Sequence, residues 1–340
     1  MLAAAASGQS RILNPLGGAD CRSTARVLRR LGALVSPLRE GTGAVRVSGG
    51  WERWRSPAAP LDCGNSGTTV RLLMGMLAGR PLSAVLTGDE SLRSRPMRRV
   101  MDPLVAMGAE LREMESPDRL PVRVVGAELR AGDHSSAVPS AQVKSAVLLA
   151  ALAAGTSATV EEPELSRDHT ERMLRALGVE VITEIGEDGG ARIALPVHDR
   201  PLSPLELQVP GDPSSAAFMA ALPTLLGRGS VRIPGVGINP TRIGFLEVAR
   251  RMGVSLEVEE RRTEGSEPVA DLIGSAGRLA GIRVEPHEVG RMIDELPLVG
   301  VLAARAVGET RVTGAGELRV KESDRIEAVV SNLRRLGVEA

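Results

Sequence analysis

The sequence predicts an α/β protein in which one globular unit of two helices and several strands is used several times. The chain has 340 residues, which at roughly 150 residues per domain indicates about two domains. Five helix-like segments end at a glycine, and these glycines recur every 70 to 84 residues. A second family of apolar helices alternates with the first. A repeat of this length is typical of globular subdomains rather than of a thin solenoid.

The first helix family is defined by a common end. A glycine after a basic last turn is a helix stop, and a β-prone stretch such as 179–183 follows it. The five segments are 22–31, 98–107, 167–177, 242–252 and 325–336, followed by Gly32, Gly108, Gly178, Gly253 and Gly337. We expect each segment to be a helix that ends at its glycine.

The second helix family also ends at glycines and leads into alternating strands, as at 157–160 and 229–233. Its segments are 72–78, 143–154, 216–226 and 296–307, with Gly79, Gly155, Gly227 and Gly308. Residues 2–8 match the close of such a helix, and the chain stops just after Gly337. The repeat therefore predicts three complete units flanked by two truncated ones.

The composition excludes several classes of protein. Lys+Arg 42 balances Asp+Glu 42, so the basic field of a nucleic-acid-binding protein is missing. With two Phe, two Trp and no Tyr, the core must be aliphatic and base-stacking platforms are ruled out. The longest apolar run, 146–154, is far below the ~20 residues of a membrane span. We expect a soluble protein without nucleic-acid or membrane partners.

Cysteine and lysine are both rare. Cys21 and Cys63 form neither a disulfide framework nor a zinc-binding pattern, which favours reduced thiols in a cytoplasm. The only lysines are Lys144 and Lys321, so 40 of the 42 basic residues are arginine. A lysine retained against that bias either marks a place where a compact ammonium is needed or is there by chance.

The loops that open the second helix family are rich in small polar residues. They cover 64–69, 139–142 and 210–215. Free N–H groups and the helix dipole make such helix starts suitable for anions. Asp212, followed by proline, is typical of an ordinary helix cap. For 65–69 a functional interpretation is favoured, because the small residues exceed what capping needs and Arg71 follows one turn later.

Two further regions carry charges that suit chemistry, with a plainer interpretation open for each. Arg93 and Arg95 lie in a loop, where a guanidinium suits a carboxylate or phosphate, although most arginines are solvated. The segment 319–325 holds five charged residues in seven, and a lysine beside a carboxylate could perform acid–base work. It is also compatible with a charged helix start, as is the pair at 294–295. The four histidines show no metal-binding spacing.

Taken in chain order, these motifs resemble one family, the 5-enolpyruvylshikimate-3-phosphate synthases (3-phosphoshikimate 1-carboxyvinyltransferases). The resemblance rests on Asn-Ser-Gly-Thr-Thr at 65–69 with Arg71, Gly-Asp-Glu-Ser-Leu at 88–92 through Arg-Pro-Met at 95–97, Ser-Ala-Gln-Val-Lys at 140–144, Arg-Asp-His-Thr-Glu at 167–171, Pro-Gly-Asp-Pro-Ser-Ser at 210–215, Asp-Glu at 294–295 and Arg-Val-Lys-Glu-Ser-Asp-Arg at 319–325. It covers essentially the whole chain and is similar to the second class of the bacterial enzymes.

The resemblance implies a fold and a reaction. The fold is the two-domain enolpyruvyl transferase fold of repeated βαβαββ units, with helix N-termini facing a cleft between the domains. In this chain it implies a domain at 1–209, lacking its first strand and part of its first helix, a partial domain at 210–340, and a hinge at 207–210. The reaction adds the 5-hydroxyl of shikimate 3-phosphate to phosphoenolpyruvate and then eliminates phosphate. No metal or organic cofactor is implied, and the full-length protein is expected to be a monomer.

The resemblance also implies roles for individual residues. Ser140, Gln142 and Arg167 would hold shikimate 3-phosphate. Asn65, Gly67, Arg95 and Arg325 would surround phosphoenolpyruvate. Asp294 would take the hydroxyl proton, Lys321 would lie beside it, and Glu322 would handle the methylene proton. The family's first loop, Gly-Asp-Lys-Ser, and its closing Asp-His-Arg motif have no counterpart here, so we expect this chain to be a fragment with weak or no catalysis.

Two other functions compete with this one. A UDP-N-acetylglucosamine enolpyruvyltransferase shares the fold and the phosphoenolpyruvate chemistry, but it relies on a reactive loop cysteine, whereas Cys63 lies beside the glycine-rich turn and Cys21 in a helix-like stretch. The motifs at 140–142 and 319–322 also favour the shikimate enzyme. A non-catalytic anion-binding protein on the same fold is the second alternative.

Overall fold

The computed structural model describes residues 1–320 and 323–340, with the side chain of Val320 left out of the description. The chain divides into two compact units, Met1–Val209 (unit 1) and Pro210–Ala340 (unit 2). Each unit combines helices and small sheets around its own aliphatic core. None of the described helices is long and apolar enough to cross a bilayer.

The helices of unit 1 fall into outer and central ones. They are α1 (Leu2–Ala5), α2 (Ala19–Leu31), α3 (Gly67–Ala78), α4 (Glu90–Arg93), α5 (Arg98–Ala106), α6 (Ala141–Ala154) and α7 (His169–Ala176). The central helices α3 and α6 are buried along almost their whole length. The two helices pack closely at Gly75. A Cβ added to this residue would lie only 2.1 Å from the carbonyl oxygen of Ala146. Only glycine permits this approach of the two backbones.

Three four-stranded sheets of the same topology enclose these helices. The strands are β1 (Gly8–Leu13), β2 (Leu34–Val35), β3 (Ala44–Gly49), β4 (Leu61–Asp62), β5 (Ser83–Thr87), β6 (Glu110–Glu113), β7 (Val122–Val125), β8 (Gly132–Ser135), β9 (Ala158–Glu162), β10 (Ile182–Ile185), β11 (Ala191–Leu195) and β12 (Glu206–Gln208). The sheet orders are β12-β1-β3-β2, β4-β5-β7-β6 and β10-β11-β9-β8. Each sheet has one parallel pair and two antiparallel pairs.

Unit 2 also combines helices with sheets, but its described sheets have three and two strands. Its helices are α8 (Pro213–Leu226), α9 (Gly244–Arg251), α10 (Pro286–Val289), α11 (Leu296–Ala303) and α12 (Arg325–Arg335). Its strands are β13 (Ser230–Gly237), β14 (Ser255–Glu264), β15 (Glu267–Ser275), β16 (Arg283–Val284) and β17 (Arg311–Val312). The three long strands pair antiparallel in the order β13-β15-β14, and β16 pairs parallel with β17. The predicted α/β class is therefore confirmed, and the common topology of the three sheets in unit 1 agrees with a repeated unit there.

The glycine stops of the first helix family agree with the structure. Gly32, Gly108, Gly178, Gly253 and Gly337 all have left-handed φ angles, between 79° and 113°. The fourth helix of the second family is shorter than predicted: α11 ends at Ala303, whereas the prediction was 307. Val307 instead forms a β-bridge with Ala280, and its N–H donates to the carbonyl of Leu279 over 3.0 Å. The strand predicted at 179–183 begins only at Ile182.

Candidate active site

A neutral side chain caps the N-terminus of α3. The hydroxyl of Ser66 accepts hydrogen bonds from the N–H and the hydroxyl of Thr69, at 3.2 and 2.7 Å. Gly64, with a φ of 59°, turns the chain into the helix. Because the cap carries no charge, the positive end of the helix dipole is not cancelled there.

The N-terminus of α6 is built in the same way. The Ser140 hydroxyl caps the helix by accepting from the Val143 N–H at 3.5 Å, and it also accepts from Arg99 Nη2 at 2.7 Å. The backbone N–H of Ser140 donates to Glu162 Oε1 at 2.8 Å. The carboxylate therefore holds the backbone of the cap, while the hydroxyl stays beside an arginine.

Arg71 joins the starts of these two helices. Its Nη1 donates to Gln142 Oε1 at 2.8 Å, and its Nη2 donates to the Pro96 carbonyl at 3.1 Å. Gln142 in turn donates from Nε2 to the Thr68 hydroxyl at 3.0 Å. Arg71, Gln142 and Thr68 thus form one chain of hydrogen bonds from α3 to α6.

Arg95 reaches the same region through Asn65. Its Nη2 donates to Asn65 Oδ1 at 2.7 Å, and the Asn65 amide donates to Asp89 at 2.8 and 3.1 Å. A Cβ on Gly67 would lie 3.0 Å from Arg71 Nη1 and 3.4 Å from Arg95 Nη1. The two guanidinium groups therefore flank Gly67, whose lack of a side chain leaves space between them.

The arginines carry more positive charge than their neighbours offset. Burial, followed by the charges of Arg99 and Arg95, lowers the pKa of Arg71 to about 10, and only Asp118 acts in the other direction. Asp118 is already occupied by the N–H groups of Met97 and Arg98, each at 2.6 Å. Among the described residues, Nε of both Arg71 and Arg95 is buried without a hydrogen-bond partner. Such a cluster is suited to an anion.

Arg167 lies in the loop just before α7 and is half-buried. The next residue, Asp168, is held by Arg172, whose Nε lies 2.9 Å from both carboxylate oxygens. This pair fixes the entry of the chain into α7. Of the predicted shikimate 3-phosphate ligands, Ser140 and Gln142 lie on α6 or its cap, and Arg167 lies on this separate loop.

In unit 2 two predicted site residues contact each other. Arg325 Nη1 donates to Asp294 Oδ1 at 3.1 Å, and both side chains are partly exposed, by 23% and 32%. Asp324 caps α12 by accepting from the Glu327 N–H at 3.0 Å. The predicted Lys321 and Glu322 lie outside the described residues.

The start of α8 differs from the starts of α3 and α6. The Asp212 carboxylate accepts from the N–H groups of Ser214 and Ser215 at 3.3 and 3.0 Å, and Arg242 Nη2 lies 3.2 Å from it. Burial raises the pKa of Asp212, but the bonds from Ser215 and Ser214 and the charge of Arg242 together hold it below its ordinary value. The helix end is thus occupied by its own carboxylate, which agrees with ordinary capping.

Some residues of the arginine cluster at the starts of α3 and α6 were not among the predicted site residues. Arg71 was noted only as a neighbour of 65–69, and Thr68 and Arg99 were not singled out. In a chain with 40 arginines, composition gives Arg99 no distinguishing signal. Its hydrogen bond to Ser140 joins residues 41 positions apart, and local pattern does not reveal such a contact.

Known proteins of one family match this chain over its length. The family model for EPSP synthase (3-phosphoshikimate 1-carboxyvinyltransferase) matches residues 1–340. The 3-phosphoshikimate 1-carboxyvinyltransferase of Sulfurihydrogenibium sp. (strain YO3AOP1) is 45% identical over 341 residues, which cover 100% of this chain and 78% of that protein.

Solved structures agree with the sequence matches. The 2.37 Å structure of EPSP synthase from Acinetobacter baumannii is 40% identical and superposes with a TM-score of 0.85, covering 98% of this chain and 74% of that one. The enolpyruvyl transferase NikO from Streptomyces tendae has a TM-score of 0.67 at 20% identity, covering 92% of this chain and 71% of that one. The second likeness concerns the fold alone.

Proposed function

Since the chain belongs to the EPSP synthase (3-phosphoshikimate 1-carboxyvinyltransferase) family, we propose how its own residues serve that reaction. The family resemblance inferred from the motifs is confirmed. The reaction transfers the enolpyruvyl group of phosphoenolpyruvate to the 5-hydroxyl of shikimate 3-phosphate and releases phosphate, a step of aromatic amino acid biosynthesis. Both substrates are multiply anionic, so a site for them must supply positive charge and hydrogen-bond donors.

The observation that carries the proposal is the convergence of arginines on two neutrally capped helix starts. Arg71 and Arg95 flank Gly67 at the start of α3, and Arg99 bonds to Ser140 at the start of α6. The pKa of Arg71 is lowered chiefly by burial and further by the charges of Arg99 and Arg95. A phosphate or carboxylate entering the cluster would relieve that repulsion.

In unit 1 the proposal assigns two groups of ligands. Shikimate 3-phosphate binds to Ser140, Gln142 and Arg167, and phosphoenolpyruvate binds to Asn65, Gly67 and Arg95. Arg71 orients the second group against the first, because it bonds to Gln142 and to the loop that carries Arg95. Gly67 contributes space and a free backbone N–H at the first turn of the helix.

In unit 2 the proposal assigns the proton transfers. Asp294 accepts the 5-hydroxyl proton as the oxygen bonds to C2 of phosphoenolpyruvate, while Glu322 protonates the methylene carbon. In the second step phosphate leaves C2 and the methyl carbon returns a proton, which restores the double bond. Arg325, whose Nη1 donates to Asp294 Oδ1 at 3.1 Å, orients this general base and also contributes to binding phosphoenolpyruvate. Lys321 acts beside Asp294.

The alternative UDP-N-acetylglucosamine enolpyruvyltransferase is not favoured. The relative and the solved structure that match this chain at 45% and 40% identity are both EPSP synthases. Cys63 is fully buried, and burial, with a further effect of Asp62, raises the pKa of its thiol to about 12. A thiol with so high a pKa is not a reactive nucleophile. The match to an enzyme family likewise disfavours a non-catalytic anion-binding protein.

We also propose a cellular compartment, an oligomeric state and domain roles for the protein. Cys21 and Cys63 are both free thiols, which is compatible with a reducing cytoplasm, and we assign the protein to that compartment as a monomer. Units 1 and 2 serve as the two domains of the family fold.

The first test measures phosphate release by the purified chain with both substrates and with each omitted in turn. Calorimetric titration with shikimate 3-phosphate and with shikimate runs in parallel, so that binding is assessed independently of turnover. We expect shikimate 3-phosphate to bind at least about tenfold more tightly than shikimate, since one charged hydrogen-bonded group accounts for that much. Equal binding of the two, or phosphate release with UDP-N-acetylglucosamine as the acceptor, would contradict the proposal.

A further inference from the structure

Lys144 is a lysine enclosed entirely by protein. It lies in the first turn of α6, one turn after Ser140, and its side chain is 0% exposed. Its Nζ lies 2.8 Å from Glu171 Oε1 and 3.2 Å from Glu162 Oε2, and it donates to the Ser166 carbonyl at 3.1 Å. The contact with the Ser166 carbonyl is a hydrogen bond, and the two contacts with carboxylates are ion pairs. Among the described residues, neither oxygen of Glu171 has a hydrogen-bond partner.

Glu162, at the end of β9, connects two parts of the candidate site. Its Oε1 accepts from the Ser140 N–H at 2.8 Å. Its two oxygens also accept from the Ser166 hydroxyl, at 2.9 and 2.7 Å, and Oε2 accepts from the Ser166 N–H at 3.2 Å. Ser166 directly precedes Arg167. One buried carboxylate therefore holds both the cap of α6 and the loop that carries Arg167.

The charges in this enclosed space favour a compact cation. One ammonium faces the carboxyl groups of Glu162 and Glu171, whose side chains are 1% and 0% exposed. Burial is the main reason that the pKa of Glu171 is raised, and Lys144 opposes it. An ammonium can turn its three donors toward acceptors on different elements, whereas a planar guanidinium requires a wider space. This accounts for a lysine in a chain that otherwise uses arginine almost throughout.

We propose that Lys144, Glu162 and Glu171 form a positioning cluster that holds Ser140 and the Arg167 loop in one fixed arrangement for shikimate 3-phosphate. The inference rests on the proposed function, which assigns that substrate to Ser140 and Arg167. None of the three residues is assigned to the substrate itself. Their effect is to order the two binding elements before the ligand arrives, which lowers the entropic cost of binding.

The test compares two substitutions of Glu162 that differ in what they retain. Glu162→Ala removes every acceptor, whereas Glu162→Gln keeps an oxygen for the Ser140 N–H and loses the charge facing Lys144. The dissociation constant of shikimate 3-phosphate is measured by calorimetry without phosphoenolpyruvate, beside the thermal midpoint of unfolding. We expect Glu162→Ala to weaken binding about tenfold, because all of the bonds to Ser140 and Ser166 are lost. We expect Glu162→Gln to weaken it about threefold, because some of these bonds remain.

Glu267→Gln in unit 2 is the matched control. Glu267 is also a buried carboxylate, and its Oε2 accepts from Asn239 Nδ2 at 3.0 Å. We expect this control to lower the thermal midpoint and leave the dissociation constant unchanged. If the Glu162 variants also lower only the thermal midpoint, the cluster is merely structural and the inference is overturned.

Two further variants keep the result decisive. Ser166→Ala leaves the buried charges intact and removes only the hydroxyl bonds to Glu162. If the Glu162 variants do not fold, a weakening of about threefold by Ser166→Ala supports the inference, and unchanged binding overturns it. Ser140→Ala tests the underlying assignment. Unchanged binding in that variant refutes the proposed role of Ser140, whereas weaker binding there combined with no effect of the Glu162 and Ser166 variants refutes the cluster alone.

Discussion

The starts of α6 and α8 occupy equivalent places in the repeat, yet they place a carboxylate differently. In α8 the Asp212 carboxylate is itself the cap and bonds to the first free N–H groups. In α6 the cap is the neutral Ser140, and the nearby carboxylate of Glu162 lies on the backbone side of that residue. The hydroxyl of Ser140 is left facing Arg99. The position of one carboxylate therefore decides whether a helix end is closed or open to an anion.

The variant Ser140→Asp gives α6 the charged cap that α8 has, and we expect it to have the largest effect on substrate binding. Aspartate caps a helix as well as serine does, so we expect the thermal midpoint to fall little. The added charge lies where an anionic substrate is proposed to bind, and repulsion of about 4 kcal/mol at 4 Å in a partly screened site predicts at least a 100-fold loss of affinity for shikimate 3-phosphate. Calorimetric titration measures it, and retained affinity would disprove the comparison.

Gly67→Ala tests whether the start of α3 is open in the same sense. The new Cβ would lie 3.0 Å from Arg71 Nη1 and 3.4 Å from Arg95 Nη1, so the guanidinium groups must shift by a few tenths of an ångström. We expect the affinity for phosphoenolpyruvate, titrated in the presence of shikimate 3-phosphate, to fall about tenfold. Binding of shikimate 3-phosphate alone serves as the internal control and should change less than about twofold. If the variant instead weakens binding of shikimate 3-phosphate and not of phosphoenolpyruvate, Gly67 belongs to the shikimate 3-phosphate site and the proposed assignment is wrong.

Asp212→Ser is the reverse change, because it gives α8 a neutral cap like that of α6. We expect it to have the smallest effect. The serine still caps α8 but removes the charge. Because Asp212 is half-exposed, screening limits the loss in the free energy of unfolding to about 0.5 kcal/mol at neutral pH. Affinity for shikimate 3-phosphate should be unchanged, and a loss there would show that the closed helix end is functional.

The pH dependence of that variant has a definite sign. The pKa of Asp212 in the folded protein is below its ordinary 3.8. Its stabilising contribution is therefore complete well above pH 3.8 and is lost as the pH falls through 3.8 toward the lower folded value. We expect urea unfolding curves of the wild type and of Asp212→Ser to converge in this acid range. A difference that grows with acidity would contradict the cause given for the shift.

Local features of the fold were accessible from the sequence, because they depend on nearby residues. A glycine that takes the left-handed conformation after a basic last turn ends a helix through local geometry, which is why the five helix stops were located correctly. The end of α11 was wrong because Val307 pairs with Ala280, and pairing between separate segments is a tertiary effect. For the same reason the partner of β1 that comes from 206–208 could not be foreseen.

The candidate site shows the same division. The small polar residues at 64–69 and 139–142 predicted helix starts suited to anions from local pattern alone. The bond from Arg71 to Gln142 spans 71 positions, and Glu162 is an ordinary acidic residue in a β-prone stretch until its partners are known. Lys144 lies between these cases, since the rarity of lysine left a special environment and chance both open and did not indicate which acids surround it.

The scarcity of lysine makes the burial of Lys144 useful for following the opening of the protein. A protease that cuts only after lysine has two sites in the sequence. One of them lies inside α6 with its side chain fully enclosed, so cleavage there requires unit 1 to open locally or globally. The rate at which a fragment ending at residue 144 forms thus measures how often unit 1 exposes its interior. Any ligand that slows its formation binds the closed form preferentially.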